Sequence, residues 1–181
     1  MYYLIDTPGH VDFSCEMERA ISVMDYAIII VSAVEGVQGH TETVWNLLRK
    51  YKVPTFFFIN KLDRVGANLE GVICEIRQSL SKESFYINDL NELNESLIEF
   101  IAEMDEELLE KYLNNEYESY IWKDKLRKLI KENKVYPCFA GSALQDGGIK
   151  EFLNAFDELT FTKYDVNDKF SGIVNKIRYD S

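Results

Sequence analysis

The chain has 181 residues, 46% hydrophobic and 28% charged, with 20 basic against 31 acidic side chains and a formal net charge of −11. That size and apolar content suit one well-packed domain with an insertion, while the charge argues against a general nucleic-acid grip, because phosphate binding needs local Lys and Arg, and no DNA partner is expected. No 18-residue apolar span and no basic-then-apolar amino-terminal signal occurs, so neither membrane nor secretion is indicated and a cytoplasmic location is expected.

Residues 2–6, YYLID, read as a short strand running into Asp6-Thr7-Pro8-Gly9-His10. Five fixed residues of this kind recur by chance in about one chain in ten thousand. Asp12 is placed to cap a helix whose Phe13, Met17, Ile21 and Met24 share one face. The run YAIIIVSA at 26–33 predicts a second strand, buried on both faces, followed by a loop at Glu35-Gly36-Val37-Gln38-Gly39. A helix opening at Thr41 should carry Val44, Leu47, Leu48 and Tyr51 inward. His40 reads as a surface residue at the entry to that helix, and Trp45 as core or interface.

The next stretch, VPTFFFINKLD from Val53 to Asp63, is an apolar, aromatic run that breaks abruptly into Asn60, Lys61 and Asp63. Such a run predicts a central strand of a parallel sheet, buried on both faces. The polar cluster then sits at the carboxyl end of the strand, the edge at which open α/β sheets bind ligands. Its chemistry suits guanine. The two oxygens of Asp63 match the adjacent N–H donors of that base, the stem of Lys61 can lie flat on the ring, and the Asn60 amide can tie neighbouring loops together.

A helix is predicted from Leu69 to Leu80, and residues 83–134, which end in a basic helix from about Ser119 to Glu132, read as a helical insertion on the α/β core. Charge is uneven within it: eleven acidic residues against one Lys from Asp89 to Glu118, and six basic against two acidic from Lys123 to Lys134. The acidic run is a solvated helix face or, alternatively, a docking surface for a basic protein. VYPCF at 135–139 predicts a strand which its Pro137 should confine to a sheet edge. It ends in Gly141-Ser142-Ala143-Leu144, ahead of a helix carrying Ile149, Phe152, Leu153 and Phe156. The tail alternates apolar and polar residues from Ile173 through Tyr179. Cys15, Cys74 and Cys138 are odd in number, widely spaced and set in apolar patterns, which predicts reduced core thiols and neither a disulfide framework nor a zinc site.

Three of these motifs together resemble one family. DTPGH is similar to the switch II signature of the translational GTPases, NKLD to their guanine-recognition motif, and GSAL to their fifth motif; the spacing and the GHVDF stretch also resemble that family. DEELLEKYL at 105–113 is similar to a helix in elongation factor G and the tetracycline ribosomal-protection proteins, and the insertion and tail lean towards the latter type. The resemblance implies an α/β, P-loop NTPase-like G domain with a mostly parallel sheet, GTP or GDP and Mg²⁺ as cofactors, GTP hydrolysis, and the ribosome as partner. By the same resemblance Asp6 would hold Mg²⁺ through water, Gly9 would let backbone N–H approach the γ-phosphate, and His10 would be the catalytic residue that positions the hydrolytic water. Asn60, Lys61 and Asp63 would hold the base together with Ser142, Ala143 and Leu144, the N–H of Ala143 reaching the guanine carbonyl oxygen.

None of the nine glycines opens a GxxxxGK[ST] phosphate loop. The expectation is therefore a partial G domain over 1–160 lacking the first strand and phosphate loop, and a linker with the first strand of a truncated β-barrel domain over 161–181. Losing three charge-assisted hydrogen bonds should weaken nucleotide affinity by about three to six powers of ten, with negligible turnover by this chain alone. A non-catalytic remnant with a protein-binding role is the alternative function. In the family a strand lies between the DTPGH strand and the YAIII strand. Its loss should open the sheet, to be closed by rearrangement, by the tail strand from Gly172, or by self-association with another chain.

Overall fold

The computed structural model describes residues 2–7, 14–114 and 118–162. Its strands are β1 (Ala27–Ser32), β2 (Thr55–Asn60), β3 (Ser84–Tyr86) and β4 (Tyr136–Ala140), in the spatial order β1-β2-β4-β3. Every pairing is parallel, with β2 in register from Ala27↔Thr55 to Ser32↔Asn60 on one side and from Phe57↔Cys138 to Ile59↔Ala140 on the other.

β2 is the hub of the fold because both of its faces are apolar. Phe56 and Phe58 join one core cluster, while Phe57 and Ile59 join a second on the opposite side. Each such side chain, fully removed from water, contributes about 1.5–3 kcal/mol. Three helices cover one face: α1 (Ser14–Ile21), α2 (Gly39–Lys50) and α3 (Leu69–Ser79), which bring Met17, Trp45, Leu48, Val72 and Ile76 against Phe57 and Ile59. The other face is covered by α4 (Glu95–Glu103), α5 (Glu106–Leu113), α6 (Ser119–Lys131) and α7 (Ile149–Leu159), through Leu97, Leu108, Leu126, Phe152 and Leu159. Side-chain caps start several of them. Asn68 Oδ1 accepts the Gly71 N–H at 3.0 Å, and Asn94 Oδ1 accepts that of Leu97 at 2.9 Å.

The central strand at 55–60, α3 and α6 lie where the sequence places them, and Trp45 is core. Other expectations need correction. Residues 2–7 form no strand, and Tyr3 and Leu4 are exposed, because a ladder needs a neighbour and no strand adjoins them among the described residues. β1 is buried on one face only, with Ile28 36% and Ile30 66% exposed. β4 is interior to the sheet in spite of Pro137, because its pairing with β2 begins only at Cys138. The Tyr136 N–H donates to Glu83 O on the β3 side, so the missing donor of Pro137 falls just before the β2 ladder starts. Ser84–Tyr86, at the start of the stretch expected to be helical, is the strand that takes the edge. Tyr51, expected inward, turns out to donate to Glu18 Oε1 at 2.6 Å, and Cys74 is exposed while Cys138 is buried.

At the amino-terminal end of the sheet one side chain ties three elements together. The Arg49 guanidinium packs against the rings of Trp45 and Tyr136, at 4.3 and 4.6 Å from their centroids. It donates to Asn133 Oδ1 at 2.6 Å, to the Tyr136 hydroxyl at 2.9 Å, to Val53 O at 2.5 Å and to Thr55 Oγ1 at 2.6 Å. The starts of β2 and β4 are thereby joined to the end of α2.

Candidate functional site

Because β2 and β4 are parallel neighbours, the segments leaving their carboxyl ends emerge side by side. Backbone bonds lace the two exits: the Gly141 N–H donates to Ile59 O at 2.9 Å, and the Leu62 N–H to Gly141 O at 3.2 Å. Gly141 is required there, since a Cβ would stand 2.2 Å from Gly147 O and 2.9 Å from Phe58 Cζ. Beyond it the chain folds into a tight loop closed by Ser142 N–H to Gly147 O at 2.8 Å and Gly147 N–H to Ser142 O at 3.0 Å. The return uses left-handed backbone at Asp146 (φ 54°) and Gly148 (φ 77°).

Side chains then bridge the two loops. Asn60 Oδ1 accepts the N–H of Lys61 at 2.8 Å and that of Ala143 at 2.9 Å. Asp63 Oδ1 accepts the Ser142 hydroxyl at 2.5 Å, while its Oδ2 lies 3.8 Å from Arg64 Nε. The Asp63 side chain is only 10% exposed. Its carboxyl is held below the usual range, chiefly by the Ser142 hydroxyl, with the Arg64 guanidinium acting in the same direction, so it is an anion at neutral pH. Lys61, in left-handed backbone at φ 70°, reaches Glu35 Oε2 at 3.2 Å in the loop after β1. The same loop is fastened by Ala33 N–H to Asn60 O and by Asn68 N–H to Ala33 O, both at 2.8 Å. Ala143 and Leu144 stand exposed at the tip of their loop.

Asn60, Lys61, Asp63, Ser142, Ala143 and Leu144 are thus gathered on one rim. Asp6 is not among them. It is exposed and lines a neighbouring cavity of about 310 Å³, with Thr7 and Met17. Asn60 and Lys61 line another of about 290 Å³, with Glu35 and Gln38, and the two cavities share Ile30, His40 and Thr41 as walls. Gly9 and His10 lie outside the described residues. Sequence reasoning missed two members of the rim. Glu35 carried a signal, an acid in the loop leaving the strand beside β2, whose carboxyl is held low by the Ser32 hydroxyl and by Lys61. His40, read as a surface residue, is half-buried, and its Nδ1 has no hydrogen-bond partner among the described residues. No described helix is long and apolar enough to cross a membrane.

What this rim can do is hold a planar, donor-rich group: a carboxylate with a spare oxygen, a backbone N–H shared with Asn60 and an alkyl stem lie along one edge. The tetracycline resistance protein TetP of Clostridium perfringens is 34% identical over 196 residues, covering 98% of this chain and 30% of its own length. Elongation factor G of Carsonella ruddii (strain PV) is 32% identical over 211 residues, covering 95% of this chain and 31% of its own. The chain therefore spans about 30% of the length of these curated relatives. A crystal structure of ttk003000868 from Thermus thermophilus superposes with a TM-score of 0.74 over 85% of this chain and 29% of that one, at 24% identity, which shows the shared α/β fold. The family model described as the elongation factor Tu GTP binding domain matches residues 1–162, and the chain belongs to that family.

Proposed function

We propose that this chain is the guanine-recognising part of a ribosome-associated translational GTPase of the tetracycline ribosomal-protection or elongation factor G type. The observation that carries the reading is the meeting of Asn60 and Asp63 with Ala143 and Ser142, 83 and 79 positions away in sequence, at the carboxyl ends of adjacent parallel strands. In this reading the Asp63 carboxylate accepts both N–H donors on one edge of guanine. Its Oδ1 keeps the Ser142 hydroxyl on its second lone pair. Adenine presents no such donor pair. The alkyl stem of Lys61 covers the ring, and its ion pair with Glu35 fixes the stem's direction. The Ala143 N–H donates to the guanine carbonyl oxygen, exchanging its Asn60 acceptor for it, and Leu144 closes the loop over the base.

Hydrolysis is assigned to the DTPGH motif. Bound Mg²⁺ neutralises charge on the phosphates. Asp6 suits its water shell because it is an exposed carboxylate, a hard oxygen donor, on a cavity wall next to the rim. Gly9 gives a backbone N–H close access to the γ-phosphate, and His10 orients the attacking water as an imidazole that can accept or donate near neutral pH.

The test uses the base, because the 181 residues contain no GxxxxGK[ST] loop and affinity for the whole nucleotide should be weak. An NMR titration with GDP and ADP should move the amides of Asn60, Asp63 and Ala143 with GDP alone, at millimolar concentrations. Asp63→Asn should shift preference to XDP, since an amide offers one donor and one acceptor in place of two acceptors. Equal responses to GDP and ADP, or unchanged guanine preference in Asp63→Asn, would overturn the assignment.

A further inference from the structure

The loop leaving β1 presents Glu35 to Lys61, and the two side chains of that ion pair are 53% and 46% exposed. An exposed pair of long side chains holds one geometry only weakly, so its direction depends on how firmly the backbone beneath it is fixed. Most of the bonds within the loop are local. The N–H groups of Val34 and Glu35 reach the Ser32 hydroxyl at 3.3 Å each, that of Gly36 reaches Ser32 O at 2.9 Å, and that of Gln38 reaches Thr41 Oγ1 at 3.4 Å, all partners close in sequence. Val37 is the exception. Its N–H donates to Glu75 Oε2 at 2.9 Å, on α3 and 38 positions away. The backbone is shaped to receive that carboxylate: Gly36 is left-handed at φ 68°, and a Cβ there would stand 2.1 Å from Glu75 Oε2, so the carboxylate fills the place a side chain would take. The helix that bears Glu75 is itself anchored. Val72 and Ile76 are buried in the cluster that contains Phe57 and Ile59, and the Asn68 N–H at the start of α3 donates to Ala33 O at 2.8 Å.

We infer that Glu75 is a positioning residue for base binding, acting through the loop at Gly36 and Val37 and the Glu35 carboxylate to set the direction of the Lys61 stem. The inference rests on the reading of the rim as a guanine site. The path runs from α3 to the loop through the Val37 N–H, from the loop to the exit of β2 through Glu35 Oε2 and Lys61 Nζ at 3.2 Å, and from Lys61 to the ring through its alkyl stem. Because α3 is held by its own burial, the Lys61 ammonium is referred to the packed sheet and not to a free loop. What position 75 supplies is an acceptor for the Val37 N–H, a task an amide oxygen performs as a carboxylate does. Gln should therefore serve there, and Ala should not.

GDP and ADP titrations of the 181-residue chain, followed by NMR at the amides of Asn60, Asp63 and Ala143, test this in Glu75→Ala, Glu75→Gln, Glu35→Ala and the double variant Glu35→Ala, Glu75→Ala. Glu75 is exposed and Ala is favoured inside a helix, so the variants keep α3. Glu75→Ala should speed amide exchange at Val37 and weaken GDP binding about two- to fivefold, the span expected of an exposed ion pair. Glu75→Gln should restore both. Adding Glu75→Ala to Glu35→Ala should cost no further affinity, because the path is already cut. Unchanged GDP affinity in Glu75→Ala overturns the proposal. So does a loss that Glu75→Gln fails to restore, or one that adds in full to that of Glu35→Ala, as a general loosening of the fold would. Equal responses to GDP and ADP in the unaltered chain overturn the base reading and this proposal with it, and Val37 exchange that still answers to Glu75 separates that failure from one in the loop.

Discussion

Removing the Asn60 side chain tests whether the two rim loops are held together as described. In Asn60→Ala the N–H groups of Lys61 and Ala143 lose their shared acceptor, at 2.8 and 2.9 Å. Two hydrogen bonds at a net 0.5–1.5 kcal/mol each would put the loss at about 1–3 kcal/mol. Ala143 is exposed, so water can replace its acceptor, and the lower part of that range, about 1–2 kcal/mol, is expected. For a chain of this size that lowers Tm by about 2–8 °C. Thermal unfolding followed by circular dichroism measures the change, and hydrogen exchange at Ala143 localises it. Asn60→Asp keeps an oxygen in the same place and should recover most of the loss. An unchanged Tm together with unchanged exchange at Ala143 would show that the Asn60 bridge does not hold the rim, and the proposed base site would lose its frame.

Gly141→Ala should destabilise the fold by about 1–3 kcal/mol in urea unfolding, because its Cβ would meet the backbone oxygen of Gly147 at 2.2 Å; Gly147→Ala, with nothing within 4 Å of its Cβ, is the control and should cost far less. Cys74 is exposed and should react with an alkylating reagent in the native protein, whereas burial pushes the Cys138 thiol up to about 12 and should protect it until the chain unfolds, as read by peptide mass mapping. The carboxyls of Asp63, held low by the Ser142 hydroxyl, and of Asp105, held low by Lys125, favour the ionised form in the folded state. The stability they confer is present above the ordinary carboxylate pKa of about 4 and is lost as pH falls through their lower folded values, so the urea midpoint should be flat from about pH 5 to 7 and fall below about pH 4. Asp105→Asn should make that acid slope shallower.

Much of this arrangement was legible in the chain because its strongest signals are local. Five consecutive buried residues in β2 and the abrupt turn to Asn60, Lys61 and Asp63 mark both a central strand and its polar carboxyl end. The periodic helices α3 and α6 are read within a residue of their observed ends. The misses are questions of pairing. Three residues of β3 are too few to show a period, and the apolar run of β1 looks the same whether one face is covered or two. A rule about donors consigns Pro137 to an edge, yet where β2 begins to pair decides which donors are needed. At the site, the bond from Ser142 to Asp63 spans 79 positions, and no local pattern announces it. The ion pair of Lys61 with Glu35 is hidden for the same reason.

The Arg49 clamp stands at the end of the sheet opposite the rim, where it holds the starts of both β2 and β4. With their roots pinned to one planar cation, the two strands have little freedom to slide against each other, and a one-residue slip would strand a half-buried guanidinium. Slack in this half of the molecule is thereby confined to the far tips. Any accommodation on ligand arrival must come from Lys61 to Arg64 and from Ser142 to Gly147, so that a change of ligand reshapes the loops while the sheet beneath them keeps its register.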